Sequence, residues 1–345
     1  MTPLLPAVIF LTALVLTWAG VALFRKWTLR REIFDVPNER SSHTQPTPRG
    51  GGVAIVAVTL AGYIIGSSVA NIPISYGYIA AGLLIAGISW LDDLISIPFW
   101  ARLAVHLGGS IVLIRDVGHW DEIFIPTADI TVPLGAVIGT VVTLGWLVWL
   151  INSYNFMDGI DGIAGIQAVI AGTAWAVFAA WLGMSATFLF AGVLASAALG
   201  FLVHNWAPAK IFMGDVGSAF LGFTLAAVPL LARRELTDLQ FQSLLPVVAV
   251  LFVWYFVFDS LLTFFRRLLR GHRVWEAHRE HIYQRLIISG WNHGQVALLY
   301  GTLAGLLSVS VIFAIIFSGK VAVLTLLCLL IPTIALIYLG GRKKD

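Results

Sequence analysis

Along this chain long apolar stretches are interrupted by short polar segments, and no stretch alternates apolar with polar residues. Eleven continuous apolar runs stand at 4–24, 51–70, 74–91, 99–115, 132–151, 163–182, 185–204, 216–232, 244–265, 293–317 and 321–339. Each is long enough to cross ~30 Å of hydrocarbon as an α-helix. A membrane barrel would instead show segments of ~10 residues with alternating polarity. The pattern therefore predicts an all-α polytopic membrane protein with about 11 transmembrane helices, a single unit over residues 1–345. The first run is followed, not preceded, by basic residues (Arg25, Lys26, Arg30, Arg31), so it reads as a retained helix and not as a cleaved signal.

Composition narrows the class further. Of the 345 residues, 59% are hydrophobic and 11% charged, with a mean hydropathy of +0.90. An ordinary soluble domain carries about 25% charged residues. So few charges cannot cover a water-exposed surface, which excludes a globular cytosolic enzyme, a disordered chain and a nucleic-acid binder. The single Cys328 excludes an intrachain disulfide. The formal net charge is only +3, but its distribution is informative. With the N-terminus periplasmic, all Lys and Arg fall on the cytoplasmic side except Arg115, Arg233, Arg234 and Lys320. That bias places the N-terminus outside and the C-terminus in the cytoplasm.

Five cytoplasmic segments are dense in Asp, Asn, His, Arg and Gly. The first runs from Asp35-Val36-Pro37 to Pro46-Thr47-Pro48-Arg49-Gly50-Gly51-Gly52, where a glycine triplet opening a helix predicts backbone N–H groups turned toward an anion. The second is Asp92-Asp93 with Arg102 ten residues on; adjacent carboxylates repel unless a cation or proton is shared. In the third, Asn152, Asn155, Asp158 and Asp161 recur every three residues, as on one face of a helix, and such groups are costly in an apolar setting unless they bind something. The fourth holds His204-Asn205 and Phe212-Met213-Gly214-Asp215-Val216-Gly217-Ser218, which suits either a helix cap or a metal–phosphate site. The fifth, from Arg266 to Arg285, includes His278, Arg279 and His281, a grouping suited to a diphosphate. Asp259 stands inside a run, and either pairs with Arg266 or Arg267 or serves function.

These five ordered blocks, over about residues 35–285, resemble the membrane-embedded polyprenyl-phosphate N-acetylhexosamine-1-phosphate transferases, glycosyltransferase family 4. The outer helices 4–24, 293–317 and 321–339 lie beyond them. The resemblance implies a Mg²⁺ site, with Mn²⁺ as a substitute, at Asn155 and Asp215. It implies a catalytic pair in Asp92 and Asp93 near a lipid phosphate, with Asp158 and Asp161 in the same cleft. It also implies uridine contacts from Asn205, Asp161 and Phe212, and phosphate contacts from Arg49, Arg102, His278, Arg279 and His281. The partners implied are a UDP-N-acetylhexosamine, undecaprenyl phosphate and the lipid bilayer of the bacterial inner membrane, with the active site facing the cytoplasm and a homodimer left open.

Peptidoglycan enzymes of this group carry an adjacent histidine run in the last loop, whereas here it reads His278-Arg279-Glu280-His281. That difference favours the branch that initiates O-antigen and related glycans with GlcNAc or a 6-deoxy relative such as FucNAc or QuiNAc, over phospho-MurNAc-pentapeptide transfer. A transporter of lipid-linked sugars would place its acidic residues near the bilayer midplane, whereas most of these sit at helix ends.

Overall fold

The computed structural model describes residues 3–35, 37, 45–273, 278–317 and 322–341. Val36, Asn38–Thr44, Glu276 and Ala277, which belong to the first and fifth polar segments, lie outside the described residues, as do Lys320 and Arg342–Lys344. All eleven apolar runs are helical. In chain order the helices are α1 (Leu4–Arg30), α2 (Gly52–Ala70), α3 (Tyr76–Ile95), α4 (Phe99–Val117), α5 (Gly135–Met157), α6 (Ile163–Leu182), α7 (Ser185–Asn205), α8 (Asp215–Ala232), α9 (Leu239–Phe252), α10 (Trp254–Leu269), α11 (Ile282–Ile288), α12 (His293–Ile316) and α13 (Ala322–Gly341). Among the described residues, nine helices are long and apolar enough to cross a membrane, and the pair α9–α10 makes a tenth if counted as one span. The remaining run, α4, carries Arg102, Arg115 and Asp116 within 19 residues.

The bundle is organised around α8. Every residue of it from Val216 to Ala232 is buried, so it is apolar all round where a rim helix needs only one apolar stripe. Small residues let neighbouring backbones approach. At Gly52, the first residue of α2, an added Cβ would lie 2.3 Å from the Cα of Gly217. Any side chain there would force α2 away from α8. α1 and α13 sit at the rim, largely unburied.

The run at 244–265 is not one straight helix. α9 and α10 meet at Val253 with a bend of 71°. Neither Pro nor Gly stands at the break, but the buried Gln167 of α6 donates its side-chain N–H to the Phe252 carbonyl at 3.0 Å. A side chain that satisfies the carbonyl at the break offsets part of the cost of interrupting the helical ladder inside a membrane.

Two short hairpins complete the fold. β1 (Phe34–Asp35) pairs antiparallel with β2 (Thr47–Pro48), and β3 (Glu122–Ile125) with β4 (Ile130–Pro133). The C-terminal ends of α3, α5 and α7 gather with the N-terminal ends of α2, α4, α6, α8 and α12 at the end of the bundle that carries β1–β2. β3–β4 lies at the other end, against Arg233 after α8.

Candidate active site

The site is built on the first turn of α8. That turn has unpaired backbone N–H groups and a partial positive charge. Asp93, at the end of α3, supplies the acceptor: its carboxylate takes the N–H of Asp215 at 2.9 Å and of Val216 at 3.2 Å. Gly214 makes this possible. Its φ is +76°, and an added Cβ would lie 2.6 Å from Asp93 Oδ2. The segment after β2 locks the same loop in place. Phe212 N–H donates to Pro48 O, Gly51 N–H to Phe212 O and Gly52 N–H to Met213 O, all at 2.8–3.0 Å. The glycine run therefore does not present these N–H groups to an anion, as its sequence predicted. The neighbouring loop takes them up in a ladder.

Asp92 and Asp93 do not share a cation or a proton; each has its own arginine. Arg49 is ion-paired with Asp93, whose side chain has no exposure, and lies 3.8 Å from Asp215. Arg102 lies 2.6 Å from Asp92 and 3.0 Å from Asp215. The result is an alternating chain, Asp92–Arg102–Asp215–Arg49–Asp93, in which Asp215 stands between two guanidinium groups. Each carboxylate is flanked by opposite charge, which offsets the repulsion between adjacent acids.

Asp215 faces a cavity of about 180 Å³ that also holds Asn155, Asp158, Asp161, Asn205 and Phe212. Asn155 donates to Ser218 Oγ at 3.0 Å. α5 ends at Met157, so Asn155, Asp158 and Asp161 are not one helical stripe. The last two lie on the turn that follows, and Asn152 bonds back to Val148 O of its own helix at 2.7 Å. Asp161 accepts from Ala209 N at 3.0 Å. Asn205 spends both ends of its amide on backbone, accepting from Gly162 N and donating to Ile211 O at 3.0 Å each. It shapes the cavity wall from a buried position. The Asp158 carboxylate has no hydrogen-bond donor among the described residues. Burial, then crowding by Asp215, Asp93 and Asp161, pushes its carboxyl well above the ordinary carboxylate range.

Asp35, Ser218, Gln284 and His293 also line this cavity and were not singled out in the sequence. Asp35, Ser218 and Gln284 stand within the recognised blocks. His293 had only the signal of opening a long helix, and that does not mark a site.

The last loop folds otherwise than its histidines imply. His278, Arg279 and His281 do not line the cavity; Gln284 does. Asp259 does not pair with Arg266 or Arg267. It is fully buried and accepts from Ile282 N (2.8 Å), Tyr283 N (3.2 Å), His281 Nδ1 (3.2 Å) and Tyr300 Oη (2.7 Å). Asp259 thus caps α11, and Arg267 instead pairs with Glu280. His278 lies beside His281 with the rings tilted by 30° and their centroids 5.0 Å apart, and its Nδ1 accepts from Glu280 N at 3.3 Å.

Burial, His281 and Arg267 hold the His278 imidazole down to about 4, so at neutral pH it offers a neutral N–H and no charge. A histidine with a lowered pKa contributes stability that is complete above its unfolded value near 6.5 and is lost as pH falls from there toward 4. Thermal unfolding of the detergent-solubilised protein should accordingly fall between pH 7 and 5, and His278→Asn should make that fall shallower. An unchanged slope in the variant would contradict the burial of this ring.

The model for "Glycosyl transferase family 4" matches residues 75–233, the stretch from Asp92 through Asp215. The chain is 30% identical over 339 residues to a decaprenyl-phosphate N-acetylglucosaminephosphotransferase of Mycobacterium leprae, covering 91% of this chain and 85% of the relative. It belongs to glycosyl transferase family 4. A probable undecaprenyl-phosphate N-acetylglucosaminyl 1-phosphate transferase of Bacillus subtilis is 27% identical over 302 residues (88% of this chain, 82% of the relative). A phospho-N-acetylmuramoyl-pentapeptide-transferase of Listeria monocytogenes is 27% identical over 324 residues (88% and 97%).

In this family 4 chain, Asp215, Asn155 and Asp158 bring oxygen donors to the same cavity. Among the described residues, no group of three or more His, Cys, Asp or Glu is placed to hold a metal ion by itself. An open set of few protein oxygens suits Mg²⁺, which keeps water and takes substrate phosphates as further ligands. The crowded carboxyl of Asp158 is the kind of group a divalent cation relieves.

Proposed function

We propose that this chain transfers N-acetylhexosamine 1-phosphate from a UDP-linked donor to undecaprenyl phosphate, releasing UMP, at the cytoplasmic face of the bacterial inner membrane. The observation that carries the reading is Asp215, held between Arg49 and Arg102 in the same cavity as an Asp158 carboxylate that no donor among the described residues satisfies. Two anionic phosphates can be brought together only where positive charge is fixed beside them. A divalent cation needs oxygen ligands not already taken.

The acceptor monoester has a second pKa of about 6 and is mostly a dianion at neutral pH. Its oxygen attacks the sugar-bearing phosphorus of the donor. The bond from that phosphorus to the bridging oxygen breaks, and UMP leaves with the bridging oxygen and its charge. Arg102 and Arg49 lower the repulsion between the two anions. Neither Asp92 nor Arg102 lines the cavity, but Asp92 is the more open of the adjacent pair and is the one we assign to the acceptor. It is 13% exposed and bonded to Arg102, whereas Asp93 is closed off beneath α8. Asp92 therefore orients the acceptor through Arg102 or takes any residual proton. Asp215 and Asn155, beside Asp158, would hold Mg²⁺ or Mn²⁺ in its place, and the cation would supply positive charge against the diphosphate.

The names of the mycobacterial and Bacillus relatives support GlcNAc as the sugar. A 6-deoxy relative, and a role in initiating O-antigen or another surface glycan, extend the same reading. The match to the Listeria enzyme keeps phospho-MurNAc-pentapeptide transfer as the second reading, and the last loop, which lacks an adjacent histidine run, counts against it. Transport is disfavoured because Asp259, the carboxylate deep in the bundle, is saturated by protein donors.

The test is to offer the purified full chain undecaprenyl phosphate with UDP-GlcNAc, a UDP-6-deoxy-HexNAc or UDP-MurNAc-pentapeptide, with and without Mg²⁺. Lipid-linked HexNAc diphosphate and an equal amount of UMP are expected from an N-acetylhexosamine donor, and only with the cation. Product from the pentapeptide donor alone, or from none, would overturn the proposal.

A further inference from the structure

His293 is the first residue of α12, yet that helix does not need its ring for a cap. Asn292 accepts from Gln295 N at 2.8 Å, and Gln295 returns the bond to Asn292 N at 3.0 Å. The imidazole turns instead to Asp161. Nδ1 lies 3.3 Å from Asp161 Oδ1 and 3.3 Å from Asp161 N. If Nδ1 carries the proton it donates to the carboxylate; if it does not, it accepts the backbone N–H. Either tautomer holds Asp161, whose other oxygen holds Ala209 N.

His293 and Asp161 also form a shared wall. On one side is the cavity of about 180 Å³; on the other is an open groove of about 760 Å³ lined by Trp206, Pro208, Trp291 and Leu298. A site that encloses a drug-sized ligand occupies roughly 300–1,000 Å³. A nucleotide sugar therefore overfills the cavity and crosses this wall.

We infer that His293 is a positioning residue for the donor nucleotide: it fixes Asp161 at the boundary where the donor passes from the cavity into the groove. The inference rests on the transferase reading above. It gives His293 no part in the bond-making step, so its loss acts on donor binding.

The experiment uses the full chain in detergent with Mg²⁺ and measures kcat and the KM of each substrate separately. His293→Ala is expected to raise the KM for the UDP-sugar about tenfold, with kcat and the KM for undecaprenyl phosphate within about twofold of the wild type. His293→Asn places an amide where Nδ1 stood and should recover most of the loss. His293→Gln, whose amide reaches the Nε2 position instead, should not, and it serves as the test variant if the alanine chain does not accumulate. An unchanged donor KM in the alanine or glutamine variant, a fall in kcat alone, or no recovery with asparagine would overturn the assignment. If the wild-type chain transfers no sugar phosphate, the transferase reading itself fails, and the two failures are thereby told apart.

Discussion

Asp215→Asn is expected to lower the rate of sugar-phosphate transfer about a thousandfold while the protein still inserts and unfolds near its wild-type temperature. The two outcomes separate because the side chain and the backbone of this residue have different tasks. Its backbone N–H is capped by Asp93, a contact that asparagine keeps, so the start of α8 should survive. Its carboxylate stands 3.0 Å from Arg102 and 3.8 Å from Arg49. In the proposed reading it is also the carboxylate of the oxygen set that Asn155 and Asp158 complete. Asparagine removes that carboxylate and leaves both guanidinium groups to pair elsewhere. Losing one fixed electrostatic group at a reacting centre costs roughly a hundred- to a thousandfold, and weakening a cation site adds to that. Transfer assayed with the full chain, beside a thermal unfolding curve, checks both halves. Activity near wild type would show that Asp215 is only part of the helix start.

Asp259→Ala is expected to release the last loop. This carboxylate is 0% exposed and receives two backbone N–H groups, a tyrosine hydroxyl and the His281 ring. Removing one partner from buried polar groups costs more than the bond was worth, because the remainder are left without water or protein to satisfy them. With the Thr263 hydroxyl at 3.3 Å, five donors lose their acceptor together, so a loss of roughly 3 kcal/mol is expected. The Gln284 side of the cavity should loosen with it, since α11 begins where Asp259 caps it. Hydrogen exchange at Ile282 and Tyr283 measures the release directly. Protection unchanged from wild type would mean that Tyr283, through its bond to Phe156 O, holds the loop unaided.

Much of this protein follows from local chemistry. Apolar runs of spanning length can only be helices in lipid, because every backbone N–H and C=O must find its partner within the same segment. All eleven appear as helices. The acids, amides and arginines of the first four blocks likewise announce themselves, since such groups are costly near hydrocarbon, and Asp92, Arg102, Asn155, Asp158, Asp161 and Asp215 do meet at one end of the bundle.

What could not be read from the chain is which partner each group takes. Asp93 looks like its neighbour Asp92 in one dimension. In three, it is buried under the first turn of α8, and only Asp92 keeps access. Asp259 looked like a mate for nearby arginines but caps a helix 23 residues later, and His293 carried no mark until α12 set it against Asp161. Hydropathy and charge are properties of a residue and its near neighbours, so the sequence alone determined where helices form and the chemistry available, whereas the break of 71° between α9 and α10 was decided by packing. Hydrogen bonds and ion pairs join residues tens to hundreds of positions apart. Only the packing around α8 decided which carboxylates are structural supports and which remain open to a substrate.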